Sequence, residues 1–91
     1  MPPEHLQPLP LTSEQWDRLA ASLKLSPQQK RIVELILRNR CDKQIALAMQ
    51  IKKSTIRTSI ARIFQRLGVA DRLELVLLVF ALSHGRRPHE E

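Results

Sequence analysis

Residues 43–67 read KQIALAMQIKKSTIRTSIARIFQRL, and the spacing of their apolar residues is the strongest indication of the architecture. It contains two blocks in which apolar residues recur at helical spacing, so that each block places them on one side of a helix. The blocks comprise Ile45, Ala46 and Met49, then Ile56, Ile60, Ile63, Phe64 and Leu67. Between them, a turn over residues 50–53 contributes one apolar residue, Ile51. We predict a short helix over about 43–49 and a longer one over about 53–67, joined as a helix-turn-helix.

Capping signals outside this stretch predict three further helices. Thr12 with Gln15 matches a capping box, and Ser26 with Gln29 repeats it, with Pro27 at the first helical position. Further signals are Asp42 as an N-cap, Gly68 as a C-terminal stop, and Asp71 with Glu74 before the last helix. The five predicted helices cover about 13–23, 27–38, 43–49, 53–67 and 72–83.

The composition favours an all-α domain. Leu, Ile, Ala, Gln, Arg and Lys dominate, whereas the chain has two Gly, one Trp, two Phe and no Tyr. We therefore predict an all-α bundle of about five helices, forming one domain over residues 11–83. Residues 1–10, which hold four of the six prolines, and residues 84–91 are predicted to be disordered tails.

Targeting signals are lacking in the sequence. Cys41 is the single cysteine, so no internal disulfide can form. The first ten residues do not resemble a signal peptide. The longest apolar run, residues 75–82, is far short of the roughly 20 residues that cross a bilayer. We expect a soluble cytoplasmic protein without a membrane partner.

The charge distribution points to a polyanionic partner. The net charge is +6 and the isoelectric point is about 10.5. Residues 43–70 contain no Asp or Glu, but they contain Lys43, Lys52, Lys53, Arg57, Arg62 and Arg66. A solvated surface would explain such a run, but solvated helices usually mix signs and gain pairs at i,i+4. We interpret the run as a surface that binds nucleic-acid phosphates.

The long amphipathic helix offers a face for base recognition. Opposite its apolar stripe lie the small residues Ser54, Thr58 and Ala61, flanked by Arg57 and Arg62. Small side chains allow close approach to a major groove, and arginine can bind O6 and N7 of guanine. These five residues are the candidates for base contacts, although Arg57 could instead contact phosphate or solvent. The candidates for phosphate contacts in the charged run are Lys43, Lys52, Lys53 and Arg66. Lys52 and Lys53 lie at a helix start, where the macrodipole disfavours cations unless an anion binds there.

Residues 25–75 resemble the LuxR/GerE-type helix-turn-helix domain of bacterial transcriptional regulators. The resemblance is carried by Leu25-Ser26-Pro27, Lys43-Gln44-Ile45-Ala46, Ser54-Thr55-Ile56-Arg57-Thr58 and the run Leu67-Gly68-Val69-Ala70-Asp71-Arg72-Leu73-Glu74-Leu75. It implies a four-helix core, here preceded by one extra helix, that binds DNA as a dimer and controls transcription. It also implies base contacts from Arg57, Thr58 and Ala61, and phosphate contacts from near Lys43, Ser54 and Thr55.

The chain departs from the pattern of this family at several positions. Gln28-Gln29 stands where members often carry Arg-Glu, so an internal ion pair is expected to be missing. Gln50 replaces the usual Gly of the turn, and Lys52 replaces the usual Ser cap of the recognition helix. Asp42 would repel a nearby phosphate, and we therefore expect it to act as a helix cap.

The last predicted helix has almost no polar face between residues 73 and 82. One side can pack on the core, and the other needs a partner. We expect a homodimer, with Leu73, Val76, Leu77 and Phe80 as the candidate interface. The alternative is that the first helix, through Trp16, covers this surface within the monomer. Trp16 is in either case expected to anchor the core.

Two other classes of function were weighed against DNA binding. A protein-interaction adaptor, sigma-factor-like or anti-sigma-like, could use the same fold without DNA affinity. An enzyme is not expected, because the sequence shows no catalytic residues, no metal cluster and no cofactor motif. Its three histidines, His5, His84 and His89, lie in the predicted tails. The expected partners are double-stranded DNA, a second copy of the chain, and RNA polymerase or another regulator.

Overall fold

The computed structural model describes residues 11–83, and these residues fold as helices without a strand. The helices are α1 (Ser13–Ser22), α2 (Pro27–Leu37), α3 (Asp42–Met49), α4 (Lys53–Leu67) and α5 (Arg72–Ser83). The all-α prediction is confirmed, and each end lies within one residue of its predicted position. The predicted tails, residues 1–10 and 84–91, lie outside the described residues.

Reciprocal capping boxes begin α1 and α2. The Thr12 hydroxyl accepts from the Gln15 N–H at 3.0 Å, and the Gln15 side chain accepts from the Thr12 N–H at 2.8 Å. Ser26 and Gln29 make the same pair of bonds at 3.1 and 2.9 Å. Each box satisfies two backbone donors that a helix start leaves unpaired, and this fixes where both helices begin.

The expectation that Asp42 caps α3 is wrong. The N-cap is Cys41, whose N–H donates to the Gln44 side chain at 2.9 Å. Asp42 is therefore the first helical residue, and its carboxylate is free to bind other side chains. A negative charge is still favourable there, because the first turn of a helix carries the positive end of its dipole.

The apolar stripe of α4 lies at the centre of the core. Ile56, Ile60 and Ile63 are 0, 8 and 1% exposed. Helices α2 and α3 pack against α4, while α1 packs against α5. Trp16 is 2% exposed, so its role as a core anchor is confirmed. Burial of the stripe fixes the rotation of α4 and turns its polar side outward.

Left-handed residues end four of the helices. They are Lys24, Asn39, Gln50 and Gly68, with φ of 57, 64, 56 and 73°. In the helix-turn-helix, Gln50 reverses the chain so that the Ile51 N–H donates to the Ala46 carbonyl oxygen at 3.0 Å. Ile51 then packs against the core and closes the turn.

We predict opposite stability changes at two of these positions. Gly68→Ala should lower the free energy of unfolding by about 1 kcal/mol, because a side chain disfavours left-handed backbone. No steric cost adds to this, since a Cβ at Gly68 would meet no atom within 4 Å. Gln50→Gly relieves the same strain and should raise the free energy by up to about 1 kcal/mol. Urea titration measures both, and changes of equal sign would contradict the explanation.

Candidate nucleic-acid interface

The five residues predicted to contact bases share one exposed surface. This surface, called here the α4 outer face, consists of Ser54, Arg57, Thr58, Ala61 and Arg62. All five are exposed and lie opposite the buried isoleucines. The face is small at its centre and cationic at its sides, because two arginines flank residues with short side chains. The short side chains allow a ligand to approach the helix closely, and the two arginines supply hydrogen-bond donors on long side chains.

Thr58 has already used part of its hydrogen-bonding capacity. Its hydroxyl donates to the Ser54 carbonyl oxygen at 3.1 Å, one helical turn back. The hydroxyl proton is used in this bond, and Thr58 has its methyl group and both acceptor lone pairs of the hydroxyl left for a ligand. A contact through the methyl group needs an apolar partner.

Lysines from two helices meet beside the start of α4. Lys43 of α3 and Lys53 of α4 line the same two adjoining grooves, and Lys52 lines one of them. Lys52 is the N-cap of α4, but no side-chain hydrogen bond caps the first-turn N–H groups. Unpaired N–H groups, the positive end of the helix dipole and three ammonium groups together favour an anion at this position.

The sequence indicates no acidic partner for the cations of residues 43–70, but the structure shows that Asp42 pairs with one of them. Its Oδ2 lies 3.4 Å from Nε of Arg57, and its Oδ1 accepts from Nη2 of Arg72 at 3.1 Å. The acidic residue stands one position before the acid-free run, and the fold brings it against the second turn of α4. Arg57 thus has an ionic partner within the protein, although its side chain remains 65% exposed.

Arg66 makes contacts that sequence reasoning missed. Its guanidinium donates to the carbonyl oxygens of Leu23 and Lys24 at 3.0 and 2.6 Å, and to the Gln29 side chain at 3.1 Å. It therefore ties α4 to the connection between α1 and α2. The predicted phosphate contact has no support from this placement, and we leave Arg66 out of the proposed interface. Backbone carbonyls look alike in every sequence, so no motif could have revealed the contact.

Cys41 lies beside this surface, in the groove that also contains Arg57 and Arg72. Its thiol is exposed, and the backbone N–H of Gln44 lowers its pKa by hydrogen bonding to the thiolate. Among residues 11–83, no group of three His, Cys, Asp or Glu side chains could hold a metal ion.

A second exposed surface lies on α5. This surface, the α5 outer face, consists of Leu73, Leu77 and Phe80, which are 66, 57 and 49% exposed. Leu75 and Val79 on the opposite side are fully buried. The fourth candidate for the dimer interface, Val76, is partly buried against the core. Helix α1 packs on α5, and Leu73 and Leu77 remain exposed. The homodimer stays a prediction.

A helix-turn-helix with an exposed cationic second helix is the architecture of a DNA-binding regulatory protein. The family model described as bacterial regulatory proteins, luxR family (GerE), matches residues 23–79. The match covers more than half of the chain, and the chain therefore belongs to this family of DNA-binding transcription regulators. The matched region begins at the end of α1, so α1 precedes the family domain.

No curated protein and no solved structure matches the chain. The family model is therefore the comparison that supports the identification.

None of the helices in residues 11–83 is long and apolar enough to cross a membrane.

We predict that the two C-terminal arginines of α4 differ in function. Arg66→Met should lower the free energy of unfolding by about 1–2 kcal/mol, because the carbonyls of Leu23 and Lys24 lose a charged donor. Arg62→Met is the matched control: this side chain is also exposed but has no such contacts, so the change should stay within about 0.5 kcal/mol. Thermal unfolding of both variants measures the difference. Equal destabilisation would show that Arg66 does not connect α4 to the α1–α2 turn.

Proposed function

We propose that this protein binds specific double-stranded DNA sequences by placing α4 in the major groove, as a cytoplasmic bacterial transcription regulator. The supporting observation is the α4 outer face, where two arginines and three small residues are exposed together. Family membership supports DNA binding in general. The specific recognition is inferred from the side chains.

The α4 outer face suits a groove about 12 Å wide, which admits one α-helix. Arg57 and Arg62 can donate to guanine O6 and N7, the commonest specific contact in protein–DNA complexes. Ala61 and the Thr58 methyl group can pack against thymine methyls. Since the Thr58 hydroxyl proton is committed to Ser54, apolar contact is the better expectation for this residue.

Phosphate contacts would set the depth and angle of α4. Lys43, Lys52 and Lys53 approach the start of α4 from both helices of the motif. Ser54 and Thr55 add hydroxyl donors in the first helical turn, where backbone N–H groups are also unpaired. These contacts carry no sequence information, but they orient the side chains that do.

A symmetric dimer would present two copies of α4 to successive major grooves. The α5 outer face supplies three large apolar side chains at i, i+4 and i+7, so they form one stripe. Pairing of this stripe with its own copy would remove it from water, as a two-fold interface requires. The two recognition helices would then contact half-sites about 34–36 Å apart.

We predict that Arg57→Ala loses specific binding and keeps the fold. Selection from a random DNA pool first identifies a preferred site. The variant should bind that site about 10- to 100-fold more weakly, because a bidentate arginine–guanine contact contributes about 1–3 kcal/mol. Arg18→Ala, which removes a charge on the exposed surface of α1, is the control and should bind as the wild type does.

The selection also tests the proposed function as a whole. Affinity is measured at several salt concentrations, since phosphate contacts make binding weaken with salt. Binding that falls steeply with salt but enriches no motif would mean phosphate attraction alone. Absence of DNA binding, together with salt-insensitive binding to another protein, would favour an adaptor.

We predict that Leu77→Glu weakens dimerisation without unfolding the chain. Leu77 is 57% exposed, so a charge there is tolerated in the monomer but not in a paired apolar stripe. Leu47→Glu on α3 is the control, because Leu47 is 69% exposed on another surface. Sedimentation at increasing concentration should show association of the wild type and the control only. A wild type that stays monomeric with and without DNA would contradict the dimer.

A further inference from the structure

One carboxylate group joins the first turns of two helices to the middle of the proposed recognition surface. Asp42 is the first residue of α3, Arg72 is the first residue of α5, and Arg57 lies in the second turn of α4. The two oxygens of the carboxylate divide between the arginines, Oδ2 to Arg57 and Oδ1 to Arg72. Among residues 11–83, no other acidic side chain makes an ion pair or a hydrogen bond with α4.

The contact uses the inner nitrogen of the Arg57 guanidinium and leaves its outer end open. Nε lies 3.4 Å from Asp42 Oδ2, and neither Nη group has a partner among the described residues. Bidentate recognition of guanine requires two parallel donors aimed at O6 and N7. The two Nη groups provide these donors. Arg57 can therefore remain paired with Asp42 through Nε and still bind a guanine base.

Arg72 anchors the carboxylate that holds Arg57. Its Nη2 donates to Oδ1 at 3.1 Å, and the Asp42 side chain is only 31% exposed. This hydrogen bond limits the movement of the Asp42 carboxylate when the exposed Arg57 side chain moves. A free arginine side chain loses about 2 kcal/mol of rotamer entropy when it is fixed, and orientation before binding reduces that loss.

The Asp42 carboxylate also weakens the electrostatic attraction between this surface and the phosphates of DNA. It lies in one groove with Lys43, Lys53 and both arginines, beside the position where phosphates would bind. A negative charge there weakens binding to every DNA sequence alike, because all sequences carry the same phosphates. At the specific site the oriented base contact offsets this loss, whereas unrelated DNA has no such contact, so the ratio of specific to unrelated affinity rises.

We propose that Asp42 is a positioning residue that sets sequence specificity: it orients Arg57 toward guanine and lowers affinity for unrelated DNA. This inference rests on the proposed function. It gives a role to Asp42, which is the one acidic side chain of residues 11–83 that pairs with α4. Phosphate binding alone would disfavour a negative charge at this position.

The first test compares Asp42→Asn with Asp17→Asn. Both substitutions remove one negative charge, but Asp17 pairs with Lys30 on α1 and α2, away from α4. Affinities are measured for the selected site, for a scrambled duplex, and for sites in which each G·C pair is replaced in turn. For Asp42→Asn we expect binding to the scrambled duplex to rise severalfold, and the ratio of specific to unrelated affinity to fall about tenfold. The control ratio should stay within about twofold of the wild type.

Asp42→Glu separates orientation from charge. The glutamate keeps the negative charge but moves the carboxylate by one methylene, so the contact with Arg57 changes. We expect binding to the scrambled duplex to match the wild type, while discrimination at one guanine falls. Circular dichroism confirms folding of each variant, and the Glu variant serves as the test if the Asn variant fails to fold.

A double-mutant cycle decides whether Asp42 acts through Arg57. In an Arg57→Ala background, Asp42→Asn should change the specificity ratio by less than about twofold, because no arginine remains to be oriented. A selective wild type whose Asp42→Asn and Asp42→Glu variants are equally selective would overturn this inference alone. The inference would also be overturned if Asp42→Asn still lowered the specificity ratio in the Arg57→Ala background. A wild type that enriches no motif would overturn the proposed function and the inference together.

Discussion

The structure depends on burial of the isoleucine stripe along α4. Ile56, Ile60 and Ile63 have almost no contact with water, and they pack among side chains from the neighbouring helices. A helix of 15 residues with one apolar stripe has a single rotation that buries it. That rotation forces the polar side outward, so the exposed face that we propose for DNA is a consequence of core packing. The core and the proposed function are thus encoded on opposite sides of the same helix.

Contacts within the protein already occupy some of the cations in residues 43–70. Of the six cations in residues 43–70, Arg66 bonds the α1–α2 connection and Arg57 pairs with Asp42. The remaining cations, Lys43, Lys52, Lys53 and Arg62, make no ion pair with an acidic side chain in the described part of the chain. Three of these surround the uncapped start of α4. The charge that lacks an internal partner is therefore concentrated where phosphate would set the angle of the helix.

Local signals made most of the fold predictable from sequence, and long-range contacts explain what was missed. Capping boxes act over three residues and periodicity over one helix, so both can be detected in a linear sequence. Asp42 was misjudged because it is a good capping residue by type, whereas Cys41 takes the cap and frees the carboxylate. Its partners lie 15 and 30 residues away, at distances that no local pattern encodes. The α4 outer face was predictable, but the ion pair of Arg57 with Asp42 was not.

The position of α5 connects the two exposed surfaces. Its first residue, Arg72, binds the carboxylate that also holds Arg57, and Leu73 of the α5 outer face follows directly. The dimer interface that we propose would therefore begin one residue after the arginine that binds Asp42. Helix α1 supports this arrangement from the other side, because it packs on α5 without covering Leu73 or Leu77. The extra N-terminal helix thus packs on the last helix, while Leu73 and Leu77 stay exposed at the surface that we propose for dimerisation.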